Sequence, residues 1–491
     1  MNAPKNKSRS EDAQELYKFG YEQQLKRSMG GFSSFAISFS LISIITGIFA
    51  NFGYGIKLVG PYILWSWALV GAGQFFVALV MADLSTRYPL SGYGYQWTSR
   101  LMNPQFGYFV GWLLLMQFLT GFPGVCQALA DTVYNIIAGG GNADWTITWI
   151  TVGVISLITV IHLYGIRIVS LVNDLGVYTE IIGAAAIILI LLSLYFLSQQ
   201  FDFSNFMDQL SRQDATGPGL SAFALSLLMG AWCLTGFEAA ADLAEETHRP
   251  RHTVPRAVIT SQVTAALGGF LLLLALILSV DDWSLVKAND SPLIYILTSR
   301  LGSQWMSLIG LIIILSILAC GVASMATASR LIYSMSRDNI LPFSSHLKRV
   351  HTKFKVPRAA ILLVWTVSVL CVILLRHLEL ITSISAVAGY LGYAGIIYAA
   401  ISTTGKTNNI TQGFSLGKYR QPIQITAMIW TLVVVGALTV PETQIPGLTE
   451  THLPLKSTIV AIILGIAIYI GIIQKRIKAG EAGPPDITKN N

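Results

Sequence analysis

Carboxylates and glycines set inside apolar runs are the residues of this chain with chemistry to offer, and two stretches concentrate them. One reads Ser38, Phe39, Ser40, Leu41, Ile42, Ser43, Ile44, Ile45, Thr46, Gly47, Ile48, Phe49; the other reads Gly230, Ala231, Trp232, Cys233, Leu234, Thr235, Gly236, Phe237, Glu238. Each carries a Thr-Gly pair within an apolar run, and the second ends on a carboxylate. In lipid, a broken helix leaves backbone groups unpaired at several kcal/mol each unless the break lines a cavity, so such breaks locate function. Half-helix N-termini attract anionic groups, and unwound carbonyls attract cations. The plainer reading is that Gly47 and Gly236 only let helices approach closely.

The surrounding elements are membrane spans. Of 491 residues, 53% are hydrophobic and 12% charged, against about 25% charged in an ordinary soluble domain. A crossing helix needs about 20 mostly apolar residues. Twelve such runs are expected, near 31–56, 61–83, 106–137, 145–166, 171–198, 220–244, 257–280, 304–335, 358–375, 380–402, 422–440 and 454–473. The fold class is therefore an all-α integral membrane protein in one unit. A polar tail, 1–30, precedes the spans and another, 476–491, follows them. The N-terminal tail has no apolar core with a cleavage site, so the first helix is expected to be a permanent span.

With the N-terminus placed in the cytoplasm, 26 Lys and Arg fall on inner connections and six on outer ones. By the positive-inside rule both termini are cytoplasmic, in a plasma or inner membrane, and the formal charge of +7 is an orientation signal rather than a mark of a nucleic-acid partner. The sequon Asn409-Ile410-Thr411 then lies in a cytoplasmic loop and is read as chance. Cys126, Cys233, Cys320 and Cys371 sit in apolar spans without paired spacing, which points to packing and to no metal site. The run Gly413 to Lys418 lacks the spacing of a phosphate loop, so no ATP is expected. No nucleophile elbow or metalloprotease motif appears, and no cofactor beyond a coupling H+ or Na+ is called for. An enzyme has no residues to stand on.

At these positions the sequence resembles the amino acid/polyamine/organocation permease superfamily, and within it the amino acid and choline transporter group that includes GABA permeases. The resemblance spans nearly all of 20–441. Its anchors are Gly31 to Phe49; Gly60-Pro61 with Ala82-Asp83-Leu84-Ser85, Tyr88-Pro89, Ser91-Gly92, Tyr95 and Trp97; Thr235 to Glu238 with Ala244 to Thr247; Ser329-Arg330, Ser336 to Asp338, Pro342 and Val356-Pro357; and Phe414 to Tyr419. It implies a leucine-transporter-type fold of two inverted five-helix repeats, 31–200 and 220–403, with helices 1 and 6 broken at the substrate and helices 11 and 12 (422–475) added. Two departures concern the substrate. The superfamily has Gly-Ser-Gly where this chain has Ile45, Thr46 and Gly47, and the closer group commonly has Asp then His where it has Glu238 and Asp242.

The expected binding residues are Ile45, Thr46, Gly47, Cys233, Leu234, Thr235, Gly236, Phe237 and Glu238. Glu238 and Asp242, spaced i, i+4, share a helix face. Glu238 either attracts an amine or a coupling proton, or pins the break by a structural hydrogen bond. Glu180 in span 5 stands where some relatives of the resembled family have a lysine for coupling; it either replaces that lysine or satisfies a neighbour. Ser324 and Thr327 offer hydroxyls where sodium-coupled relatives place theirs. Glu245 and Glu246 are expected to pair with Arg249 and Arg256, and Asp83 with Arg330, as gate or scaffold pairs. His162 is expected to be a hydrogen-bonded core histidine, and Trp232 and Phe237 to close over the solute. The expected function is a secondary transporter of an amino acid or related small amine (GABA, choline or polyamine-like) working by alternating access. An uncoupled exchanger, a channel and a transporter-derived nutrient sensor are its rivals.

Overall fold

The computed structural model describes residues 11–138, 144–198, 219–289, 291–404, 413–442 and 452–485; the sequon at 409–411 lies outside them. A short amphipathic helix, α1 (Glu11–Lys18), precedes α2 (Gly31–Ile42), α3 (Ile44–Val59), α4 (Ile63–Arg87), α5 (Tyr93–Leu101), α6 (Pro104–Ala138), α7 (Asp144–Leu163) and α8 (Ile166–Ser198). There follow α9 (Leu220–Cys233), the single turn α10 (Ala239–Asp242), α11 (Pro250–Leu278), two short helices α12 (Trp283–Ala288) and α13 (Pro292–Leu301), and α14 (Met306–Arg337). The chain ends with α15 (Ser344–Leu347), α16 (Arg358–Leu375), α17 (Leu378–Ser402), α18 (Arg420–Thr439), α19 (Leu453–Ile468) and α20 (Gln474–Lys478).

Among the described residues, ten helical runs are long and apolar enough to cross a bilayer. Two differences from the twelve expected spans have local causes. Spans 1 and 2 form one near-continuous helical run, Gly31–Arg87, because Gly60 and Pro61 turn the chain through a single 3-10 turn. Span 6 stops at Cys233 as a helix of 14 residues, short of a crossing, because the chain unwinds at Leu234.

The long helices sort by exposure in the way lipid requires. α7, α8, α16, α18 and α19 turn bulky apolar side chains outward, among them Leu175, Ile182, Leu374, Ile429 and Val460, whereas α6 and α17 are largely enclosed. The core is built by α6 packing on α14 and α17, α4 on α11, and α3 on α9. Small residues set these approaches. A Cβ on Gly47 would lie 2.2 Å from Cys233 Cβ, so the backbone of α3 at Gly47 packs directly on the Cys233 side chain of α9. His162 is buried and its Nε2 lies 2.9 Å from the Val322 carbonyl oxygen, joining α7 to α14 as a core histidine.

The α3–α9 approach is testable. Gly47→Ala should lower the thermal midpoint of the detergent-solubilised protein by an amount equivalent to about 1–3 kcal/mol, the usual cost of overpacking. Adding Cys233→Gly should recover part of the loss, and an unchanged midpoint in Gly47→Ala would show that the helices do not meet there.

Candidate functional site

Both spans are interrupted, the first three residues before its expected break, and each interruption is held by a carboxyl group. Between α2 and α3 the interruption is a single residue, Ser43, at φ 33 and ψ 95. It precedes the Thr-Gly pair: Ile45, Thr46 and Gly47 are helical, in the first turn of α3. The Glu180 carboxyl on α8 accepts from Ser43 Oγ at 3.0 Å and from the Ile45 amide at 3.2 Å. Ser43 Oγ lies 2.6 Å from Thr46 Oγ1 and accepts from the Thr46 amide at 3.2 Å. The second break coincides with its Thr-Gly pair. Gly236 takes φ +98, and a Cβ there would sit 2.6 Å from Leu41 Cγ, so glycine is required both by conformation and by space.

Glu238 closes this second break. Its Oε2 accepts from the Gly236 amide at 3.1 Å, and its Oε1 accepts from Tyr393 Oη at 2.7 Å and Tyr93 Oη at 3.4 Å. Phe237 stacks on Tyr393 with ring centroids 5.8 Å apart, and its carbonyl accepts from Ser38 Oγ at 2.7 Å, tying the second break to α2. Asp242 accepts from the Gly92 amide at 2.6 Å. This geometry is that of the structural alternative: the side chain pins the break, and its oxygens point to tyrosines and backbone.

Between the two breaks lies a cavity of ≈ 40 Å³. Of the expected binding residues, Thr46, Cys233, Thr235 and Gly236 line it, as does Ser324. Ile45, Gly47, Leu234, Phe237 and Glu238 are buried behind its wall. Leu234 is held by Gln74, whose amide donates to its carbonyl at 2.9 Å. Thr327 turns its hydroxyl back to the Ala323 carbonyl at 3.1 Å. Other walls come from α6 and α17, through Gln117, Phe118, Phe122 and Ser385, and Leu41, Ile42, Trp232 and Cys320 also line it. Sequence reasoning missed Gln117 and Ser385. The signal for Gln117 was an uncharged amide deep in an apolar span that also carries Pro123.

On one side of this cavity α3, α6 and α17 diverge into a polar vestibule of ≈ 320 Å³, lined by Lys57, Asp131, Asn135, Arg376, His377 and Glu379 among others. On the other side the molecule is shut by ion pairs. Arg330 and Glu246, both fully buried, meet at 2.8 Å, and Arg337 reaches Glu245 at 2.9 Å through two parallel bonds. These replace the expected pairing of Glu245 and Glu246 with Arg249 and Arg256. The chain turns at Arg249 (φ 47) and leads it and its neighbours outward to the N-terminal tail, where Asp12 accepts from the Arg249 amide at 3.2 Å and Glu15 pairs with Arg251. Asp83 does not meet Arg330 either. It binds Arg87, one turn along α4, at 3.0 Å and Arg420 at 3.6 Å, while Arg330 is engaged by Glu246 and Ser329.

The tail completes this closure. Ser28 and Met29 amides donate to the Glu246 carbonyl, each at 3.0 Å, and the His248 amide donates to the Met29 carbonyl at 3.0 Å. Arg27 donates to the Thr247 carbonyl at 2.5 Å. Tyr21 Oη donates to Asp338 at 2.9 Å while the Arg337 guanidinium lies 3.6 Å above its ring. Burial, and then the Asp338 carboxylate, push the Tyr21 phenol above its ordinary value, which keeps it a donor.

Two broken helices meeting at a small, mostly apolar cavity, with an open vestibule on one side and a closed face on the other, are joined by a match to known sequences. A family profile described as amino acid permease matches residues 29–468. The chain belongs to the amino acid permease family. It is similar to amino-acid permease BAT1 of Arabidopsis thaliana, 28% identical over 461 residues covering 87% of this chain and 88% of that protein. A BAT1 homologue of Oryza sativa subsp. japonica is 27% identical over 463 residues, 87% of each chain. The thiamine transporter thi9 of Schizosaccharomyces pombe is 25% identical over 480 residues, 86% of this chain and 79% of that protein. The permease is thus a multi-pass membrane transporter and not an enzyme.

The closed face of the permease makes a quantitative prediction. Arg330→Met or Glu246→Gln leaves its partner charged and buried, which costs about 3–5 kcal/mol, so each should lower the thermal midpoint sharply. The double variant Arg330→Met/Glu246→Met should lose less than the sum of the singles. Additive losses would mean that the two residues do not act as a pair.

Proposed function

We propose that the permease is a secondary active transporter of a small amine-bearing solute, bound between the breaks and moved by alternating access. The observation that carries this is the position of the ≈ 40 Å³ cavity, lined from both breaks and lying between vestibule and closed face. That volume is far below the roughly 300–1,000 Å³ of a ligand pocket. A solute therefore enters by displacing the aromatic walls, and its binding energy is available to drive rearrangement.

The fold reading that goes with this is the twelve-span, 5+5 inverted repeat. The short helix α9 with the turn α10 counts as one broken span, and the run Gly31–Arg87 as two. The polar vestibule is then external. The Arg330–Glu246 face, both tails and the basic connections are cytoplasmic, as the positive-inside count expects, in a plasma or inner membrane. Of the coupling candidates, Glu180 is in direct contact with a break. Protonation of its carboxyl removes the charge that strengthens the bonds from Ser43 and Ile45, which loosens the cap on α3 and couples a proton to movement of that helix.

Proteoliposomes preloaded with an amine mixture should take up labelled amine saturably by counterflow, and accumulate it when a pH gradient is imposed. Glu180→Gln should keep counterflow but lose the response to the gradient. Non-saturable flux would identify a channel and defeat the proposal. Uptake strictly dependent on internal substrate in the native protein, with no response to any ion gradient, would leave an uncoupled exchanger.

A further inference from the structure

Two helices that touch closely over part of their length part company over the rest. α8 packs on α14, where a Cβ on Gly176 would lie 2.2 Å from Ala319 Cβ and one on Gly183 would lie 2.3 Å from Ile312 Cγ2. The step from 176 to 183 on α8 matches the step from 319 to 312 on α14, so the helices are antiparallel. The next position in this register sets Ile190 against Trp305, the residue before α14. Neither is small enough for such an approach, and a groove of ≈ 390 Å³ opens there. It faces outward, since Ile190, Leu194, Trp305 and Leu308 on its walls are each at least 40% exposed.

Arg300 is the one charged residue in the lining. It ends α13, whose Pro292 to Ile294 line the polar vestibule, and so marks the vestibule end of the bundle. Its Nε donates to the Ser279 carbonyl at 2.7 Å and its Nη2 pairs with Asp281, which fixes the guanidinium and leaves Nη1 without a bond among the described residues. The Asp281 side chain is 72% exposed. Trp305 beside them is the kind of amphipathic ring that sits at headgroup level. From Gly183 to Leu194, at a rise of about 1.5 Å per residue, the groove runs about 16 Å, which is one leaflet of a hydrocarbon core about 30 Å thick. A second groove of ≈ 420 Å³, between α4 and α11, has no charged residue in its lining and nothing to choose a headgroup.

We infer that the α8–α14 groove is a binding site for one zwitterionic phospholipid of the vestibule-side leaflet. An acyl chain lies against Ile187, Ile190 and Ile309, the phosphate accepts from Arg300 Nη1, and the headgroup ammonium meets Asp281. A lipid with an anionic headgroup would bring unbalanced negative charge beside Asp281 and Asp282. A second protein seated here would have to take the Arg300–Asp281 pair out of water, at a desolvation cost that a charged headgroup offsets. The floor of the groove lies one turn beyond Glu180, so the lipid wedges between α14 and the helix that caps α3.

The test uses the full-length purified protein in detergent, titrated with dioleoylphosphatidylethanolamine, dioleoylphosphatidylglycerol or dioleoylglycerol. Bound lipid is read by native mass spectrometry, and thermal shift provides a second measure. One phosphatidylethanolamine per chain is expected, held at least about tenfold more tightly than dioleoylglycerol, which lacks the phosphate and with it a hydrogen bond between charged groups. It should also be held more tightly than phosphatidylglycerol, and Asp281→Asn should remove that preference. Ala186→Trp, at an exposed position on the groove wall, should fill the groove and abolish the tight lipid. Arg300→Gln should lower phosphatidylethanolamine to the level of dioleoylglycerol, which keeps the test decisive if Ala186→Trp fails to fold. Dioleoylglycerol bound as tightly as phosphatidylethanolamine would overturn the phosphate contact and the inference with it. Phosphatidylglycerol bound as tightly or better would overturn the zwitterionic assignment. Tight lipid unchanged in Ala186→Trp would place it elsewhere on the surface and overturn the site.

Discussion

A chain crossing hydrocarbon can expose no unpaired backbone group, and the architecture of this permease follows from how it obeys that rule at two places where its helices stop. Each stop frees amides and carbonyls that water would satisfy in a soluble protein. Here carboxyl groups from within the bundle take the amides: Glu180 reaches across from α8 to the start of α3, and Glu238 folds back onto Gly236. The two breaks are also bound to each other, by Ser38 on Phe237 and Ala240 and by the bare contact of Gly47 with Cys233. Two hydrogen bonds and one close contact thus join the interruptions, so a shift of one strains the other.

The same economy governs the closed face. Its two ion pairs are buried, and buried charges are tolerable only with good geometry and full hydrogen bonding. Arg330 spends one nitrogen on Ser329 as well as on Glu246, and Glu245 is met by the Ser91 amide as well as by Arg337. A conformational change that opened this face would have to supply water to every one of these groups at once. That favours two distinct states over a continuum of partial openings.

Much of this arrangement was legible in the sequence, and the gaps have physical causes. Hydropathy located the long apolar helices, ten of which among the described residues are long enough to cross a bilayer, because lipid imposes one length and one composition on such helices. The second Thr-Gly pair coincided with a break, since Gly236 adopts a conformation that only glycine holds without strain. The first pair did not: Gly47 is small because α9 packs on it, and the interruption falls on Ser43, whose hydroxyl and carbonyl replace what the helix loses. Spacing cannot separate these two uses of glycine. The charge pairs were misassigned for a related reason. Arg249 and Arg256 are near Glu245 and Glu246 in sequence, but Arg330 and Arg337 come from α14 and are near only after folding. Proximity along the chain is a poor guide wherever the chain turns sharply, as it does at Arg249.

The N-terminal segment has its own lesson. Tyr21 bonds to a residue 317 positions later, and Arg27 to one 220 positions later, so the segment from Glu11 to Met29 cannot complete its contacts until the end of α14 is in place. Its attachment is complete only after α14, and it reports that the bundle has been assembled as far as Asp338. A chain stalled or misinserted before Asp338 would leave the Tyr21 contact unmade, and a quality-control protease that recognises a partly undocked polar tail would read the integrity of the bundle up to α14 from residues 11–29.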